Sequence, residues 1–153
     1  MPKQKSPYTA KNNMKVTVYH QVSFYELDPM GVVWHGNYVN FFEKARAALI
    51  HKMGLSYHTM ADMGHVWPVV KLRCKYMKSA VLNQKLSITA ELKDYVNSLT
   101  IAFTIRDAET QEIITKGETM QMAVETSTEK TNLINPAYFI DIVNQALAAE
   151  EKD

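Results

Sequence analysis

The sequence predicts an α+β domain in which one curved antiparallel β-sheet encloses a helix at residues 37–53. Three observations carry this. Residues 16–24 alternate apolar and polar side chains in the manner of a half-buried strand. The next apolar run, from Tyr38 to Met53, recurs at spacings of mostly three and four, as a helix face does. Four further strand-like segments follow, joined by links too short for the crossovers that parallel neighbours require.

At 153 residues the chain reads as one domain, large enough to bury about two thirds of its unfolded surface. The 17 basic and 16 acidic residues give a net charge of +1, so no global electrostatic case exists for nucleic acid or a membrane surface. One cysteine, Cys74, excludes an intrachain disulfide and suits a reducing compartment. The polar start, Met1 to Pro7, lacks the apolar core of a signal peptide, and no apolar run is long enough to span a bilayer. The expectation is a cytoplasmic protein without membrane insertion: a flexible tail over 1–13, one domain over 14–149 and an acidic tail over 150–153.

In the first strand Val16, Val18, His20, Val22 and Phe24 share a face, which puts His20 among apolar side chains with a local hydrogen bond. Asp28 precedes Pro29 and so favours extended backbone, and Asp28, Pro29 and Gly31 fit positions one, two and four of a type I turn. Asn37 reads as the N-cap of the long helix, and Gly54 as its stop. On that helix Glu43 and Arg46 lie one turn apart and are placed to pair; Glu43 also reads as a second catalytic carboxylate. Ser56 caps a short helix over 57–63, ended by Gly64. His51, His58 and His65 are too widely spaced, and too interrupted by glycine, for a helical metal site.

Val70, Leu72, Cys74 and Tyr76 then alternate with Lys71, Arg73 and Lys75, lining the cations up on one face. Strands around 86–92, 99–105 and 114–124 follow. Asn135 and Pro136 read as the N-cap and first turn of a closing helix with Phe139, Ile140, Val143, Ala146 and Leu147 on its apolar side.

The stretch from Asp28 to Tyr38 brings a carboxylate and the free amides of a helix start into one corner. Acyl transfer asks for this combination: a group that attacks a carbonyl or activates water, and donors for the oxyanion that forms. Spacing alone leaves the commoner role open, in which Asp28 simply closes a turn. Nucleophile elbows, dinucleotide-binding glycine patterns, P-loops and paired cysteine ligands are absent from the sequence.

The run Asp28-Pro-x-Gly-Val-Val-Trp-His-x-Asn-Tyr38, followed by Phe42-Glu-x-Ala-Arg46, resembles the signature of the hot-dog-fold acyl-coenzyme A thioesterases of the 4-hydroxybenzoyl-CoA thioesterase type. Lys75-Tyr-Met-Lys-Ser-Ala80 and Gly117-x-Thr119 resemble that family's strand segments, and the likeness covers roughly residues 14–130. It implies a single hot-dog domain, homodimers or tetramers paired edge to edge, an active site at the dimer interface, and an acyl-CoA substrate with no separate cofactor or metal. Asp28 matches the family's catalytic aspartate, as nucleophile or general base. His35 matches the backbone donor to the thioester carbonyl and, through its imidazole, a second active-site group.

Gly36, Asn37, Tyr38 and Phe42 are then candidates for oxyanion amides or pocket lining, with Glu43 beside them. Lys71, Arg73 and Lys75 are candidates for the coenzyme's phosphates. Glu26 stands where many members have aspartate, and Ser79 where many have proline, which leaves subfamily and acyl group open. Some members work with acyl carrier proteins, which nothing in this sequence selects. Two rival readings stay open: a hydratase or dehydratase of the same fold, and a non-catalytic acyl-thioester binding or assembly protein.

Overall fold

A computed structural model describes residues 14–151. The tail expected at 1–13 and the last two residues of the acidic end lie outside the described residues. Strand β1 (Lys15–Gln21) leads through a short 3-10 turn (Phe24–Glu26) to helix α1 (Asn37–Lys52) and helix α2 (Tyr57–Asp62). Strands β2 (His65–Val66), β3 (Val69–Tyr76), β4 (Lys85–Asp94), β5 (Leu99–Asp107), β6 (Ile113–Gln121) and β7 (Val124–Glu125) come next, and helix α3 (Ala137–Glu151) closes the chain.

Five strands form one antiparallel sheet in the order β1-β4-β5-β6-β3, while β2 and β7 pair separately. The predicted strand over 114–124 is therefore two: β6 ends at Gln121, and β7 leaves to join β2. Two-residue strands carry no periodicity, so the sequence could not separate them.

Helix α1 lies across the inner face of this sheet and buries Phe41, Phe42, Ala45, Leu49 and Ile50. Phe42 stacks on Phe103 of β5 at 4.6 Å between ring centroids. Gly117 of β6 makes room for the helix: an added Cβ there would lie 2.4 Å from the Phe42 ring. A side chain there would force helix and sheet apart.

Two predicted caps take other roles. The N-cap position of α1 belongs to Gly36; Asn37 is the first helical residue, and its side-chain amide donates to the Glu26 carbonyl at 2.9 Å. Asn135, buried, donates to the Tyr95 and Ser98 carbonyls and accepts from the Trp67 indole N–H at 3.0 Å. Each amide finds a stronger claim in a distant chain segment than in its own helix start. Ser56, by contrast, caps α2 as expected, accepting from the Thr59 amide at 3.1 Å. Helix α3 runs on through Glu150 and Glu151, and Glu150 pairs with Lys52 at 3.4 Å.

Strand β3 departs from expectation in burial. Val70, Leu72 and Tyr76 are exposed, because α1 packs mainly against β1, β4 and β5 and meets β3 chiefly at its end, where the Tyr38 and Tyr76 rings lie 5.3 Å apart, while Cys74 is half-buried against the core. Alternation predicts which side chains share a face; it cannot say whether anything covers that face.

Candidate active site

The corner predicted around Asp28 forms, and backbone hydrogen bonds build it. The Gly31 amide donates to the Asp28 carbonyl at 3.0 Å, closing the predicted turn, and Gly31 takes φ +79°, which glycine adopts without strain. The Asp28 amide donates to the Val32 carbonyl at 2.8 Å. One carboxylate oxygen, Oδ1, accepts from the Met30 amide at 2.8 Å. The other, Oδ2, has no hydrogen-bond partner among the described residues, so Asp28 is anchored through one oxygen with the second left open.

From the turn the chain runs to α1 under close control. Val33 donates to the Ala80 carbonyl at 2.9 Å, and Val32 bridges to Val81. The Trp34 amide donates to the Glu26 carbonyl at 2.9 Å, the oxygen that also holds the Asn37 side chain. The next two amides, those of His35 and Gly36, meet no acceptor among the described residues. They stand at the positive end of a sixteen-residue helix, which reinforces their pull on negative charge. Space around Gly36 is tight: a Cβ there would sit 2.4 Å from the Trp34 indole.

Asp28, His35, Gly36, Asn37 and Tyr38 thus lie on one turn-to-helix segment held in shape by the Asp28–Val32, Val33–Ala80 and Trp34–Glu26 backbone bonds. The Tyr38 hydroxyl accepts from the Ala80 amide at 3.1 Å, and burial raises its pKa above the ordinary value, with the Cys74 thiol and the Asp28 carboxylate adding to the rise. Tyr76 donates its hydroxyl to the His35 carbonyl at 3.0 Å and is pushed up to about 12, by burial first and then by the Cys74 thiol. Both phenols therefore stay protonated at neutral pH. The His35 imidazole is exposed, with its ring 5.2 Å from that of Trp34 and 6.4 Å from that of Tyr76.

Glu43 and Phe42 have other partners. Glu43 pairs with the buried Arg46, whose second guanidinium nitrogen donates to Thr119 Oγ1 at 2.7 Å; Phe42 is fully buried against the sheet. Lys71, Arg73 and Lys75 lie along β3, all exposed, and Arg73 pairs with Glu118 at 3.3 Å. Arg73 and Lys75 help line a cleft of about 670 Å³ on the sheet face away from α1; Lys71 does not, and neither does Asp28.

Sequence reasoning missed three supports of the corner. Tyr76 and Ala80 hold it from β3 and its exit, and their signal lay in the Lys75–Ala80 segment already singled out as a strand. Glu26, nearly buried, accepts from His20 Nε2 at 2.8 Å and from the Ser23 amide at 2.8 Å, tying the corner to β1. His20 was expected on an apolar face with a local hydrogen bond, and its ring lies 4.6 Å from Phe41; the carboxylate partner was the unread part.

Fold and corner together define a hot-dog domain: a sheet curved around one long helix, with an anionic group and free amides where the helix begins. Residues 22–146 match the family model described as the thioesterase-like superfamily, and the chain belongs to that family.

Among solved structures, the DHNA-CoA thioesterase of Staphylococcus aureus superposes with a TM-score of 0.76 at 29% identity, covering 90% of this chain and 91% of that one. A mutant 4-hydroxybenzoyl-CoA thioesterase complexed with 4-hydroxybenzoyl-CoA shares the fold at a TM-score of 0.73 and 19% identity, over 85% of this chain and 99% of that one. Among curated proteins, the acyl-CoA thioesterase YbgC of Haemophilus influenzae is 32% identical over 89 residues, 58% of this chain and 62% of that protein. A relative from Aquifex aeolicus matches at 32% identity over 74 residues, 48% of this chain and 58% of its own length. The chain thus spans about three fifths of these curated relatives.

Among the described residues no helix is long and apolar enough to cross a membrane, and no group of three or more His, Cys, Asp or Glu side chains is placed to hold a metal ion.

Proposed function

We propose that the protein hydrolyses an acyl-coenzyme A thioester to the free acid and coenzyme A. The observation that carries this reading is the pairing, within one turn-to-helix corner, of a carboxylate with an open oxygen at Asp28 and two amides without acceptors at His35 and Gly36. Asp28 attacks the thioester carbonyl or draws a proton from the attacking water. The amides hold the oxyanion, where losing one donor costs on the order of 10²–10³ in rate. The His35 imidazole and Asn37 flank this corner, and Tyr38, neutral and fixed by Ala80, walls it. Phe42 contributes by setting the helix against the sheet rather than by touching substrate, and Glu43 neutralises Arg46. No metal or redox cofactor enters this chemistry.

The protein works as a homo-oligomer paired through β3. That strand's outer edge has no partner among the described residues, and its residues Val70, Leu72 and Tyr76 are exposed. Such an edge is a template for a second copy. Its location in the cytoplasm is supported by the single free cysteine. For the coenzyme's phosphates, Arg73 and Lys75 are favoured over Lys71 because they share the cleft.

The test is a panel of aromatic and aliphatic acyl-CoA esters, followed by a thiol reagent and, in parallel, by absorbance of the acyl chain. Thiol release, with the chain otherwise unchanged, is the expected result. Addition or removal of water across the chain without thiol release assigns the corner to hydratase chemistry instead.

A further inference from the structure

Strand β5 presents Ile101, Phe103 and Ile105 to the helix and the shorter Ala102 and Thr104 to the opposite face. Long charged side chains rise on either side: Arg73, Lys75, Lys116 and Glu118 from β3 and β6, and Glu91 and Lys93 from β4. The result is a trough with a short-side-chain floor and charged rims, enclosing about 670 Å³, within the range of small-ligand sites. Four cations face two carboxylates in it, although the whole chain carries only +1.

The pairing of these charges is uneven. Arg73 meets Glu118 at 3.3 Å, and Lys93 meets Glu91 at 3.2 Å. Lys75 and Lys116 form no ion pair among the described residues, yet the β3–β6 register sets them directly opposite one another. Like charges in directly opposed positions of an antiparallel pair repel and destabilise it. The next residue across the sheet from Lys116 is Thr104, whose hydroxyl adds a donor.

We infer that the Lys75–Lys116 pair, with Thr104 beneath it and Arg73 beside it, forms a binding site for a phosphate-bearing ligand. Two adjacent ammonium groups call for more charge than one carboxylate supplies, and lysine serves phosphate as a point charge while arginine serves it as a fork. Two carriers fit this chemistry: the nucleotide end of an acyl-CoA substrate, or a free nucleotide. The site stands on its own geometry, and only the choice of the first carrier rests on the thioesterase reading.

The experiment is calorimetric titration of pyrophosphate and of adenosine 3′,5′-bisphosphate into the full chain at low salt, for wild type and for Lys75→Gln/Lys116→Gln. Saturable binding by wild type that weakens tenfold or more in the variant is expected. So is an unliganded melting temperature in the variant no lower than that of wild type, since a repulsion has been removed. Absence of saturable binding by wild type, or equal binding by a folded variant, overturns the site.

The carrier is read from kcat/KM for an acyl-CoA divided by that for the matching acyl-pantetheine, which lacks the nucleotide. A ratio that falls tenfold in the variant assigns the site to substrate; an unchanged ratio with lost nucleotide binding assigns it to a free nucleotide. If wild type binds the phosphates but releases no thiol from any ester, the thioesterase reading fails and the anion site stands.

Discussion

Asp28 is held by one oxygen and, among the described residues, open at the other, and the proposed catalytic role rests on that asymmetry. Asp107 illustrates the alternative. Its Oδ1 accepts from the Glu109 and Thr110 amides and its Oδ2 from Gln84, each at 2.8 Å, so both oxygens are engaged, one by the turn between β5 and β6 and the other by the residue before β4. The Thr110 amide, the Gln84 side chain and the Glu109 amide, in that order, hold its carboxyl down at about 2, below the ordinary 3.8. A carboxylate depressed in the folded state adds stability above its unfolded pKa, and that stability fades as pH falls through the folded value. Between pH of about 4 and about 2, wild-type melting temperature should therefore drop more steeply than that of Asp107→Asn. Parallel curves for the two proteins would show that these bonds do not favour the ionised form.

Residue types with a strong local habit were legible only up to the point where a distant segment competed. Asn37 and Asn135 both carry the sequence mark of an N-cap, and both instead cross-link the fold through their amides. Glu43 could be read as catalyst or as partner of Arg46; in the structure it pairs with the buried Arg46, whose guanidinium calls for a counterion.

At the scale of elements, period was a reliable guide wherever an element was long. Strands β1, β4 and β5 and helix α1 fall where alternation and helical spacing put them, because each buries one face against the other. Strand β3 has the same alternation and only partial cover, at Cys74 and Tyr76, with Val70 and Leu72 left exposed. Pairing with a second copy would supply the missing cover, and Leu72 then falls inside the contact. Placing a carboxylate there without a partner costs about 3–5 kcal/mol, a rise in the dissociation constant of at least ~100-fold. Leu72→Asp should therefore sediment as a monomer at concentrations where wild type is associated, with its circular dichroism unchanged. Association at wild-type strength would move the contact to another face.

Across the whole molecule, the candidate corner is assembled from His20, residues 26–38 and residues 76–81, which meet only when the sheet has formed. The central stretch was legible because turn, amides and helix start are neighbours in sequence. Its supports were not, because Tyr76, Ala80 and His20 reach it through tertiary hydrogen bonds that leave no spacing to read. The charged trough was hidden for the same reason: Lys75 and Lys116 lie far apart in the chain, and only the strand register sets them face to face.

Asparagine at position 28 keeps a carbonyl oxygen for the Met30 amide and removes the charge, so the turn persists while the proposed catalyst is lost. The deciding measurement is kcat for thiol release by Asp28→Asn against wild type on the best acyl-CoA substrate, with oligomeric state and melting temperature matched. Turnover at the uncatalysed background is the predicted result; turnover close to that of wild type would contradict the assignment of Asp28 as the group that acts on the thioester.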